Sequence, residues 1–95
     1  MSEVNEYKEG ERIARTAIQE GIPRKQLDLL AKYAATHGKD AIRYQVKKQG
    51  MREAARWTAE FIKEMLDLTE KVTPAQISKI LGIAHDLYLY VENES

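Results

Sequence analysis

Residues 73–94 read Thr73-Pro-Ala-Gln-Ile-Ser-Lys-Ile-Leu-Gly-Ile-Ala-His-Asp-Leu-Tyr-Leu-Tyr-Val-Glu-Asn-Glu94. The first four form a capping box. The Thr73 hydroxyl can accept from an orphan amide three residues on, and Gln76 can reach back to the cap. Pro74 falls at the first helical position, where a missing N–H leaves nothing unsatisfied. From there Ile77, Ile80, Leu81, Ala84, Leu87, Tyr88 and Val91 recur at helical spacing, and Ile83, Leu89 and Tyr90 widen the stripe. A helix this apolar around its circumference is either central to a bundle or part of an oligomer interface.

The rest of the chain follows the same period. A first helix is predicted over residues 3–20, with Tyr7, Ile13, Ala14, Ala17 and Ile18 as its apolar positions. Gly21 ends it by taking the left-handed conformation. Pro23 stands where a first helical turn tolerates proline. The second helix carries Leu27, Leu30, Ala31 and Ala34 and stops near Gly38. Asp40 is the expected N-cap of a third segment beginning at Ala41. That segment carries Ile42 and Val46, then Met51, Ala54, Ala55, Phe61, Ile62, Met65 and Leu68, with Gly50 between the two groups. Such a glycine weakens a helix by about 1 kcal/mol relative to Ala, and a break or kink is expected there. No segment alternates as a strand does. The expectation is an all-α, small single-domain bundle of four to five helices over residues 1–95.

Composition narrows the chemistry. With 95 residues the chain supports one modest core. The absence of Cys removes disulfides, zinc–thiolate sites and thiol nucleophiles, and it fits a reducing compartment. No apolar run approaches the roughly 20 residues that span a bilayer. The polar, acidic opening Met1-Ser-Glu-Val-Asn-Glu6 does not read as a signal peptide, so a cytoplasmic protein with no membrane association is expected.

Charge is where the pattern turns functional. Lys and Arg total 15 and so do Asp and Glu, yet the signs are segregated. Residues 24–56 hold nine basic side chains (Arg24, Lys25, Lys32, Lys39, Arg43, Lys47, Lys48, Arg52 and Arg56) against Asp28, Asp40 and Glu53, a local excess of six. On a helix, Lys48, Arg52 and Arg56 share a face and Arg43 and Lys47 form the neighbouring row. Rows of this kind suit a phosphate backbone, each neutralised phosphate releasing counterions. The other reading is a solvated face without acidic partners. Tyr44 and Trp57 stand in or beside this region. Either stacks on exposed bases or belongs to the core, the core being the commoner place for Trp57.

Other candidates are weaker. The run from Thr73 to Ala84 resembles the first helix and turn of bacterial helix-turn-helix domains, with Gly82 at the turn, so residues 73–92 stand as an alternative DNA-binding element. The residues after it contain no Arg or Lys, and the apolar stripe passes through Gly82 in phase, which favours one unbroken helix. His37 reads as a helix-end residue beside Gly38. His85 and Asp86 are adjacent, and adjacent helix positions do not face each other. Glu60, Glu64 and Asp67 make an acidic face interleaved with Lys63 and Lys71. No metal, cofactor or catalytic constellation is expected. A further alternative is a helical protein-interaction module without a nucleic-acid role.

Taken together, three places resemble the small all-helical subunit of type III-A CRISPR interference complexes. An opening helix with Gly10-Glu-Arg-Ile-Ala-Arg-Thr-Ala17 precedes Pro23-Arg-Lys-Gln-Leu27, which is similar to that family's Thr-Ser-Gln-Ile/Leu helix start. Ile42-Arg-Tyr-Gln-Val46 looks like its later Tyr-Gln or Tyr-x-x-x-Arg helix, and Ile80-Leu-Gly-Ile-Ala-His-Asp-Leu-Tyr-Leu-Tyr90 is similar to its aromatic-rich closing helix. Arg24 and Lys25 replace the hydroxyl residues, and Asp28 stands where a basic residue is usual. The resemblance implies a non-catalytic antiviral-defence subunit that stacks along a ribonucleoprotein filament and grips guide and target RNA. The gripping residues would be Arg43, Lys47, Lys48, Arg52 and Arg56, with Arg24 and Lys25 second. It also implies contacts with other subunits and a possible homo-oligomer through the last helix.

Overall fold

The computed structural model describes residues 4–49 and 57–94. Among these, five α-helices and no strand are formed: α1 Glu6–Gln19, α2 Arg24–His37, α3 Lys39–Gln49, α4 Ala59–Lys71 and α5 Pro74–Glu94. The all-α reading holds.

Each helix end has a local cause. Asn5, unremarked in the sequence, caps α1 by accepting from the Lys8 amide at 3.0 Å. The far end of α1 is a Schellman motif. Gly21 has φ +74°, its amide bonds to Ile18 O at 3.2 Å, and the Ile22 amide reaches Ala17 O at 2.8 Å. Pro23 sits one position before α2, in the cap, with ψ 148°. Gly38, with φ +61°, closes α2, and α3 starts at the very next residue. Asp40 is therefore not a cap. It lies in the first turn of α3 with its side chain 85% exposed. One glycine turns the chain between the two helices, which leaves no separate cap position at Asp40.

The predicted third segment is two helices. It is interrupted before Ala59, where Trp57 and Thr58 are not helical, Thr58 is extended and its Oγ1 accepts from the Phe61 amide at 3.3 Å. Gly50, Met51, Ala54 and Ala55 lie outside the described residues. The capping box of α5 is reciprocal: the Thr73 amide donates to Gln76 Oε1 at 2.9 Å, and the Gln76 amide donates to Thr73 Oγ1 at 3.3 Å. From Pro74 the helix passes Gly82 without a turn, and Gly82 has no positive φ. This overturns the helix-turn-helix reading of residues 73–92, because the second helix it needs is the continuation of the first.

The packing explains the wide apolar stripe of α5: both α1 and α2 close on it. Lys79 pairs with Glu6 and Arg15 with Glu94, so α1 runs parallel to α5. On the other side Arg24 Nε donates to His85 O at 3.1 Å and Ser78 Oγ to Ala31 O at 2.9 Å, so α2 runs antiparallel. Tyr88, 9% exposed, donates its hydroxyl to Ile22 O at 2.8 Å. Ile13, Leu27, Phe61, Met65, Leu68, Ile77, Ile80 and Leu81 are fully buried, each stabilising the fold by about 1.5–3 kcal/mol. Three expected apolar positions are instead exposed: Tyr7, Leu89 and Tyr90 point away from the α1–α5 seam. No helix among the described residues is long and apolar enough to cross a membrane.

Candidate nucleic-acid interface

Helix α3 has one anchored side and one free one. Ala41 and Ile42 are buried, and Val46 packs partly against the core. The helical period then sends Lys39, Arg43 and Lys47 along one outer row and Asp40, Tyr44 and Lys48 along the next. Arg43, Tyr44 and Lys47 are exposed. Arg43 lies 3.5 Å from Asp40, but with side chains 60% and 85% exposed this ion pair contributes little. Lys48 Nζ sits 5.4 Å from the centre of the Tyr44 ring, within cation–π range. The second row meets Tyr33 and His37 from the last turns of α2. Together with Ala41 and Gln45 these residues line a cavity of ≈ 690 Å³ in the corner between the two helices.

The other predicted contacts are placed differently. Arg24 is half-buried and held by its bond to the His85 carbonyl, so its guanidinium joins α2 to α5. Lys25 is exposed, but the start of α2 lies about 20 Å from its end at 1.5 Å per residue, away from the α3 rows. Arg52 and Arg56 lie outside the described residues. Trp57 is 8% exposed and packs edge-to-face on Phe61 with centroids 5.0 Å apart, which makes it a core residue and removes it as a stacking platform. Tyr44, at 60% exposure, stays accessible.

Outside the middle segment four cations pair across helices, while Lys8 and Lys63 have no acidic partner among the described residues. Arg12 pairs with Glu64 of α4 and with Glu9, which also takes Lys71 at 3.4 Å; Lys79 pairs with Glu6, and Arg15 with Glu94. These bonds tie helices together. Burial works against ionisation of Glu9, but Arg12 and then Lys71 outweigh it and hold the carboxyl below its usual range. Glu11 chiefly, then Glu94, holds the Arg15 guanidinium in its charged form. Among the described residues no ion pair from a cation of the middle segment crosses between helices. Lys32 and Arg43 pair within their own helices, and Lys25, Lys39, Lys47 and Lys48 have no acidic partner there.

Of the remaining candidates, Glu64 is taken by Arg12. No group of three or more His, Cys, Asp or Glu side chains among the described residues is placed to hold a metal ion. His85 and Asp86 do meet, against the expectation for neighbours on a helix, with Nδ1 3.2 Å from Oδ1. Tyr33 went unnoticed in the sequence. Its signal was phase: it falls off the Leu27, Leu30, Ala34 stripe that buries α2, so its ring has to face outward. No known protein family, curated protein or solved structure matches the chain.

Proposed function

We propose that this chain is a non-catalytic, cytoplasmic RNA-binding subunit of a ribonucleoprotein, with α3 as the element facing the RNA backbone. One observation carries the reading: the division of labour among the cations. Arg12, Arg15, Lys71 and Lys79 bridge helices, whereas Lys39, Arg43, Lys47 and Lys48 stand on the outer side of α3, none bridging to another described helix. A helix built this way offers charge to a polyanion without giving up a pair that joins helices. The resemblance to the small subunit of type III-A CRISPR interference complexes supplies a setting, a defence ribonucleoprotein in which such subunits stack. Leu89 and Tyr90, 48% and 67% exposed on α5, would then meet neighbouring subunits or a second copy.

The test is titration of single-stranded RNA at several salt concentrations. Three phosphates neutralised by Arg43, Lys47 and Lys48 give a log–log salt slope of about −2, at roughly 0.7 counterions per contact on a single strand. The triple variant Arg43→Glu, Lys47→Glu, Lys48→Glu should lose binding and flatten that slope. Wild-type affinity and slope in a variant of unchanged helicity would sink the assignment.

A further inference from the structure

Phosphate contacts along α3 leave the bases of a bound strand without a place, and the corner between α2 and α3 provides one. Tyr33 and Tyr44 are 45% and 60% exposed, and the two rings line one cavity. The surroundings are not those of a groove for an apolar helix. Among the described residues Ala41 is the single aliphatic side chain lining it, and His37, Asp40, Gln45 and Lys48 join the two tyrosines. At ≈ 690 Å³ the cavity falls in the range of small-ligand sites and is open to solvent through both tyrosines. Arg43 and Lys47 run one helical row away, and Lys48 already lies over the Tyr44 ring. Aromatic faces bordered by cations are what an unpaired nucleotide needs, the ring stacking on the base while the charges take the flanking phosphates.

The geometry points to a base-stacking slot: an unpaired nucleobase of a single strand lies against Tyr33 and Tyr44 while its phosphates meet Arg43, Lys47 and Lys48. This rests on the RNA-binding reading and sharpens it to strands with free base faces. A duplex, whose base faces are covered by neighbouring pairs, has nothing to offer these rings. Asp40 and Gln45 at the cavity wall present acceptor and amide groups to a base edge.

Two labelled probes of about ten nucleotides separate the terms, an oligoadenylate and an abasic ribose-phosphate oligomer of the same length. The wild-type protein should bind the oligoadenylate roughly tenfold tighter than the abasic strand. Tyr44→Ala and Tyr33→Ala should each remove most of that difference while leaving abasic binding in place, and Tyr44→Phe should keep it. Both rings are exposed, so helicity and melting should stay at wild-type values. Unchanged base dependence in folded Tyr44→Ala overturns the slot and leaves the phosphate contacts standing. Failure of the wild-type protein to bind either probe overturns both. A wild-type dimer that Tyr44→Ala disperses, with no base dependence, assigns the cavity to a second copy and also overturns the slot.

Discussion

Position 10 shows how much one missing methyl group decides. Gly10 is buried where α1 crosses α5, and a Cβ there would come 2.5 Å from Ile83 Cγ2 and 2.8 Å from Ile83 Cβ. Helix propensity alone favours Ala by about 1 kcal/mol. The crowding works the other way and on a larger scale, because Ile83 belongs to a packed seam and has to move with its helix. Gly10→Ala should therefore lose about 1–3 kcal/mol in urea denaturation, and adding Ile83→Ala should restore part of it. A more stable Gly10→Ala protein would show that α1 is not pressed on α5 as described. This role was not legible in the sequence, where Gly10 reads only as a weak spot in a helix and its partner lies far downstream. Tyr44 and Trp57 differ in this respect. Tyr44 falls off the Ala41, Ile42, Val46 side of α3, so its exposure follows from phase, whereas Trp57 stands before the Thr58 cap of α4 and its burial on Phe61 is a contact that helical phase does not give.

Among the elements, α5 was the most readable and α3 the least. The capping box, the start at Pro74 and the passage through Gly82 all follow from local chemistry, and the structure keeps each of them. Thr73→Ala should cost about 1 kcal/mol in chemical denaturation. Because the two bonds of the box hold one another in place, adding Gln76→Ala should cost little more, and fully additive losses would show that the bonds act separately. Helix α3 starts one residue before its best cap residue for a physical reason. Asp40 is a good cap residue, but Gly38 reverses the chain so sharply that α3 begins before Asp40 is reached. The turn is also confined from outside, since a Cβ on Gly38 would lie 3.2 Å from Pro74 Cβ. The start of α5 thus borders the corner that holds the tyrosine-lined cavity.

For the whole molecule, net charge hides the organisation. The zero balance of 15 and 15 is divided between cations that join helices and cations that do not, and only their clustering at residues 24–56 was visible beforehand. Which of them the fold consumes, Arg24 above all, depends on tertiary contacts. The joining set sets the acid response. Glu9 has a folded pKa below its ordinary value of 4.5, so its contribution is complete above 4.5 and is lost as pH falls through the lower folded value. Denaturation midpoints should fall across that acidic window in the wild-type protein and less steeply in Glu9→Gln; parallel curves would remove Glu9 as a source. The central place of α5 carries a different implication, one about time. The bond from Arg24 to His85 spans 61 residues and that from Tyr88 to Ile22 spans 66. A ribosome releases α1 and α2 well before the helix that shields Ile13, Leu27 and Leu30 has been synthesised. Folding thus waits on late-made sequence, slowly for an all-helical chain, and the nascent intermediate is sticky in a way the finished protein is not.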